Sequence, residues 1–178
     1  MDKNILIVID DSGSMESIIS TIIEKCEELV DTHKDSNFIF WKFGSSDKIS
    51  KISLSEVKKL SATSGMTALY KAASLAIDDL GEMYTKNKLN PNSKTIVFIL
   101  TDGQDNDSGK YTQQTLDEKM KHQRERYGWD FHFFGSDLRQ TRTANTMNFS
   151  SSNGFEASTR GVQSMFVSIS KSIGSTVS

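Results

Sequence analysis

Two short oxygen-rich segments stand directly after continuous apolar runs in this chain. Asp10-Asp11-Ser12-Gly13-Ser14 follows Ile5 to Ile9, and Thr101-Asp102-Gly103 follows Thr95 to Leu100. A third segment, Ser64-Gly65-Met66-Thr67, adds a hydroxyl ahead of a stretch with helical period. Carboxylates with serine and threonine hydroxyls are hard, oxygen-only ligands. They suit Mg²⁺ or Mn²⁺, with Ca²⁺ a further hard cation. No cysteine or histidine stands in these segments, which argues against zinc and copper.

The surrounding pattern predicts the elements that must bring these segments together. Ile5 to Ile9 is β-branched and unbroken, the mark of a strand buried on both faces of a parallel sheet. Ile18, Ile19, Ile22, Ile23, Cys26, Leu29 and Val30 then recur at three- and four-residue steps, predicting a helix over Met15 to His33. Phe38 to Phe43 reads as a second strand, with a turn at 44–47 and an antiparallel edge strand near 49–54. A helix is expected over Thr67 to Met83, and a loop from Asn87 to Ser93 around Pro91, the only proline. Thr95 to Leu100 and Trp129 to Phe134 are further buried strands. Between them lies a polar helix capped by Thr112 and ending near Tyr127-Gly128. A short helix within 137–148, a short strand from Phe149, a short last helix over Val162 to Ile173 and a frayed tail at 174–178 complete the reading. Strands alternating with helices mean an α/β fold with a mainly parallel sheet. Ligands in such sheets bind beyond the carboxyl ends of the strands, where Asp10 and Asp102 fall.

Asp10-x-Ser12-x-Ser14, then Thr67, then Asp102 resembles the metal-ion-dependent adhesion site of von Willebrand factor A domains. The resemblance runs over nearly the whole chain. The phrases Gly65-Met66-Thr67-Ala68-Leu69-Tyr70 and Tyr127-Gly128-Trp129-Asp130-Phe131 look like stand-alone A-domain proteins of bacteria and phages. The resemblance implies a Rossmann-like fold with helices on both faces and 1–178 as one domain. It implies that Ser12, Ser14 and Thr67 are hydroxyl ligands and that Asp10 and Asp102 balance the charge. It also implies an open coordination position for a Glu or Asp of a partner protein. Asp11 receives no role from the match. Ser14 is expected where the first helix begins, with Gly13 and Gly65 letting the backbone bend around the ion.

Other readings of the same residues are weaker. Asp10, Ser12 and Ser14 are also ordinary cap residues. Asp102, Asp105 and Asp107 lack EF-hand spacing and read as a solvated acidic rim. Gly103 to Lys110 has one residue too many for a phosphate loop, and Tyr111 follows the lysine. His33, His122 and His132 are scattered, and Cys26 sits on an apolar helix face. Lys119, Lys121, Arg124 and Arg126 interleave with Asp117, Glu118 and Glu125, as on a solvated face.

The chain has 178 residues, 21 Lys plus Arg against 23 Asp plus Glu, and one cysteine. That length suits one domain of roughly 100–200 residues. The near-neutral balance argues against a nucleic-acid binder. A lone cysteine excludes an intrachain disulfide and a CxxC site. The first apolar run is far shorter than the roughly 20 residues of a membrane helix. A cytoplasmic setting is expected. The leading functional expectation is a non-enzymatic, Mg²⁺-dependent protein-binding module. The alternatives are an adaptor with a purely structural metal and a Mg²⁺-dependent phosphohydrolase, for which no general base is evident.

Overall fold

A computed structural model describes residues 3–63 and 65–175 of the chain. Six strands form one sheet: β1 (Lys3–Asp10), β2 (Asn37–Phe43), β3 (Ile49–Ile52), β4 (Lys94–Thr101), β5 (Asp130–Gly135) and β6 (Ser151–Gly154). Their order across the sheet is β3-β2-β1-β4-β5-β6. Every pairing is parallel except β2 with β3, which is antiparallel at one edge. The helices are α1 (Ile19–Thr32), α2 (Leu54–Val57), α3 (Leu69–Thr85), α4 (Gln113–Tyr127), α5 (Leu138–Asn145) and α6 (Thr159–Ser175).

Alternation along β1 divides its side chains between two cores. Ile5, Ile7 and Ile9 pack with α1, α2 and α6, while Leu6 and Val8 pack with α3, α4 and α5. All five are fully buried, as are Ile96 to Leu100 of β4. Each such side chain contributes about 1.5–3 kcal/mol by leaving water, so a charge at Ile7 would break the sheet at its centre. Register does the rest: Ile9 lies opposite Leu100, so the residues that follow each strand emerge side by side.

Local signals set the ends of the elements. Thr112 caps α4 by accepting from the Thr115 amide, and Gly128 ends that helix in the left-handed region at φ 69°. Asp137 caps α5 through the Arg139 and Gln140 amides. A capping box between Ser53 and Glu56 starts α2, a short helix that the hydrophobic period does not predict. No helix among the described residues is long and apolar enough to cross a membrane.

Several expectations need correction. The first helix does not start at Met15. Gly13–Met15 is a 3-10 turn and α1 begins at Ile19, so Ser14 lies in that turn and not at the helix start. Gly13 needs no left-handed conformation there, whereas Gly65 does, at φ 138°. The second long helix begins at Leu69, which leaves Thr67 in the preceding loop. β6 starts at Ser151, two residues after Phe149. The last helix is not short: α6 runs 17 residues and takes in Gly174 and Ser175 of the tail expected to fray. Ser64 and residues 176–178, also part of the sequence reading, lie outside the described residues.

Candidate metal centre

Asp10 ends β1 and is completely buried. Its Oδ1 accepts from the Ser12 amide at 2.8 Å and its Oδ2 from the Thr101 hydroxyl at 2.7 Å. The first bond curls the chain back over the strand end, so Ser12 and Ser14 face the same space. Their hydroxyl oxygens are 3.3 Å apart. The 3-10 turn fixes this spacing through Met15 N–H to the Ser12 carbonyl, 2.9 Å.

Asp102 arrives from the neighbouring strand. Its Oδ1 accepts from the Ser14 hydroxyl at 2.7 Å. Burial pushes the Asp102 carboxyl above the usual range, the Ser14 bond opposes this, and the Asp10 carboxyl beside it adds to the rise. Asp10 is likewise pushed up by burial, against its bonds from Ser12 and Thr101. Two carboxyls thus sit close together, and no basic side chain among the described residues contributes to either shift, an arrangement that a cation relieves.

Thr67 is buried in the loop before α3. Asn106 grips it on both sides: its Oδ1 accepts from Thr67 N–H at 2.7 Å, and its amide donates to the Thr67 carbonyl at 2.9 Å. The Thr67 hydroxyl faces Gly103, where a Cβ would lie 3.8 Å away. Gly103 follows Asp102 in the chain, so the Thr67 hydroxyl lies near that loop. None of the hydrogen bonds among the described residues joins it to the other four side chains. So Asp10, Ser12, Ser14 and Asp102 form one bonded chain, and Thr67 stands next to it.

Two residues that position this constellation, Thr101 and Asn106, carried no role in the sequence reading. Thr101 was visible in Thr-Asp-Gly, and its inward hydroxyl follows from strand alternation. Asn106 gave no signal. Asp105 and Asp107 are not a solvated rim: Asp105 accepts from Tyr70 N–H at 3.1 Å and from the Ser108 hydroxyl, and Asp107 accepts from Ser46 N–H at 2.7 Å. Asp105 ties its loop to the start of α3, and Asp107 ties it to the turn after β2.

The donor set comprises two carboxylates and three hydroxyls, all oxygen. No group of three or more His, Cys, Asp or Glu side chains among the described residues is placed to hold a metal. Oxygen donors of this kind, carboxylates together with hydroxyls, are chemically suited to a hard cation. A 420 Å³ cleft bounded by Tyr84, His122, Tyr127 and Trp129 opens near the amino ends of β4 and β5, the other end of the sheet.

Comparison with solved structures bears on the fold. Manganese-loaded TRAP protein of Plasmodium vivax superposes with a TM-score of 0.55 at 17% identity, over 74% of this chain and 56% of that one. Proximal thread matrix protein 1 of the mussel byssus superposes with a TM-score of 0.67 at 16% identity, over 95% of this chain and 45% of that one. The chain has a von Willebrand factor A-like fold. It spans about half the length of these two structures. No family model matches the sequence, and no curated protein does.

Proposed function

We propose that this A-like domain is a divalent-metal-dependent protein-binding module and not an enzyme. Ser12, Ser14 and Thr67 would supply neutral oxygens, and Asp10 and Asp102 the negative charge. Mg²⁺ is the first choice of ion, with Mn²⁺ or Ca²⁺ as substitutes. A metal so held keeps enough positive charge to attract a carboxylate of a partner protein. The observation that carries the reading is the bonded chain from Asp10 through Ser12 and Ser14 to Asp102 at the carboxyl end of the sheet. Likeness to a structure solved with manganese supports the choice of a divalent ion.

A cytoplasmic setting belongs to the same proposal, as does the treatment of all 178 residues as one domain of bacterial or phage type. The test has two stages. Calorimetric titration with Mg²⁺ and Mn²⁺ should show one site in the wild type and none in Ser12→Ala. Partner capture should then succeed in Mg²⁺ and fail in EDTA and with Ser12→Ala. Capture that survives both treatments would sink the metal-mediated interface and leave the adaptor alternative. Phosphoester turnover that disappears in Asp10→Ala would instead favour the hydrolase.

A further inference from the structure

The cleft at the amino end of the sheet stands apart from the candidate metal centre, and its walls have a chemistry of their own. Its 420 Å³ falls within the roughly 300–1,000 Å³ of small-molecule sites. Tyr84 and Thr85 reach it from the end of α3, His122, Gln123 and Tyr127 from the end of α4, and Trp129 from the entry to β5. Four of these side chains are aromatic rings, in two pairs. Tyr84 and Trp129 lie 5.9 Å apart at 45°, and His122 and Tyr127 lie 6.0 Å apart at 72°. The walls therefore present rings at several inclinations. The Tyr84 hydroxyl is turned towards the sheet, accepting from Asn4 Nδ2 at 2.8 Å and meeting the Thr95 hydroxyl at 2.6 Å. Its ring, and not its polar end, is left for the cleft. Tyr127 is 62% exposed.

Electrostatics at this place favours a cation. The faces of aromatic rings carry the negative part of a quadrupole and attract ammonium groups within about 6 Å of the ring centre. Both α3 and α4 end at the cleft, and the carboxyl ends of helices carry partial negative charge. α3 has no basic residue in its last turn. Nearby basic groups have other partners: Lys86 pairs with Glu82, Arg124 donates to the Asn148 carbonyl, and Lys94 donates to the Gly128 carbonyl and pairs with Asp130. Arg126, the other basic residue in the last turn of α4, is exposed and does not bound the cleft.

The kind of cation follows from what the walls lack. No lysine, arginine or acid is among the described residues that bound the cleft. A primary ammonium is strongly hydrated and carries three donors that need acceptors. A quaternary ammonium has no N–H to satisfy, so rings and helix ends suffice for it. We propose that this cleft binds a small quaternary ammonium compound of the choline type, held by cation–π contact with Tyr84, Tyr127 and Trp129 between the carboxyl ends of α3 and α4. A lipid headgroup of the same chemistry fits less well. Tyr127 is the one exposed large hydrophobic residue bounding the cleft among the described residues, too little apolar surface to enter a bilayer. The site is independent of the metal-dependent function proposed above.

The test compares choline with its neutral isostere, in which a tert-butyl group replaces the trimethylammonium group. Each is titrated into the full chain and followed by nuclear magnetic resonance. Choline should bind about tenfold tighter than the isostere, within the range of cation–π contacts. It should shift the indole resonance of Trp129 and leave in place that of Trp41, which lies outside the cleft. Tyr127→Leu keeps apolar bulk at an exposed position and removes the ring, so choline affinity should fall about 2–5-fold, and Tyr127→Phe should retain it. Equal affinity for choline and the isostere would overturn the proposal. So would a Trp129 resonance that choline does not move, or an unchanged choline affinity in Tyr127→Leu. The chain should stay in solution when phosphatidylcholine vesicles are sedimented. Sedimentation with the vesicles that free choline reverses would overturn the free compound as the ligand in favour of the headgroup.

Discussion

The Ser14 hydroxyl donates to Asp102 Oδ1 across 2.7 Å, joining two loops 88 residues apart in sequence. The bond exists because β1 and β4 are adjacent parallel strands in register, so both loops leave the sheet at the same level. Neither loop could place its oxygens alone. The sheet supplies the meeting point, and the 3-10 turn at Gly13–Met15 supplies the angle at which Ser14 faces Asp102.

Asp102→Asn separates charge from geometry at this junction. The amide oxygen can still accept from Ser14, so the loop should keep its shape. One of the two negative charges is lost. Mn²⁺ affinity should fall about 10–100-fold, the range seen when a supporting group of a metal site is removed. Electron paramagnetic resonance of free Mn²⁺ during titration reads this directly. In parallel, saturating Mg²⁺ should raise the wild-type Tm through binding to the folded state only, and raise that of Asp102→Asn less.

Acid should weaken the same site. Asp10 and Asp102 both have carboxyls raised by burial, so protons compete with a cation at higher pH than they would for exposed carboxylates. Apparent Mn²⁺ affinity is expected to fall with acidification, beginning at higher pH than for a site built from exposed carboxylates. For the metal-free protein the sign reverses. A raised folded-state value stabilises below the unfolded value and loses that contribution as pH rises through the folded one. An affinity that stays flat down to the ordinary carboxylate range would show that neither carboxyl contributes.

Thr101 offers a test of how Asp10 is held. Its hydroxyl is the donor to Asp10 Oδ2, at 2.7 Å in a fully buried setting. Thr101→Val keeps the shape and removes that donor from a buried carboxylate, at a cost of about 1–3 kcal/mol. Thr101→Ser should restore most of the loss. Urea midpoints of the three proteins in EDTA measure it, and equal midpoints would mean that another group takes over the bond.

Much of this arrangement is legible in the sequence, and for definite reasons. Ile5 to Ile9 and Thr95 to Leu100 are buried on both faces, so their apolar runs are continuous and their ends mark the sheet edge where Asp10 and Asp102 emerge. The end of α4 is legible because Thr112 and Gly128 carry their own backbone chemistry. The start of α1 is not. Met15 and Ile18 are buried and fit the helical period, but the backbone there makes 3-10 bonds, and side-chain period cannot distinguish the two. Asn106 and Asp105 act through backbone amides of distant segments. No local pattern encodes such contacts.

Gly161 in α6 shows packing prevailing over propensity. A Cβ there would lie 1.9 Å from the Glu156 carbonyl oxygen, a backbone atom with little freedom to move. Alanine inside a helix gains about 1 kcal/mol over glycine. Overpacking costs about 1–3 kcal/mol or more, and a clash this close lies at the upper end. Gly161→Ala should therefore lower Tm despite its better helix propensity. A rise in Tm would mean that the segment before α6 yields without cost.

Buried Asp11 and half-buried His132 should give the stability curve opposing slopes. Burial lifts Asp11 to about 6, against the opposing charge of Lys42. Its stabilising contribution is complete below pH 3.8 and is lost as pH rises through about 6. Asp11→Asn should thus stabilise the metal-free protein at pH 8, by about 1–3 kcal/mol, and have little effect near pH 4. His132 runs the other way. Burial holds its imidazole below 6.5, where it stacks 5.3 Å from Phe98 and bonds Ser151 at 2.6 Å. The neutral ring is the folded form, so its contribution is present above pH 6.5 and is lost as pH falls below it. Urea midpoints in EDTA, from pH 8 down to below the ordinary aspartate value of 3.8, should show both effects. Asp11→Asn removes the loss of stability as pH rises from 3.8 through about 6, and His132→Gln removes the opposing loss as pH falls below 6.5. If His132→Gln leaves the acid limb unchanged, protonation of that ring is not what destabilises the fold.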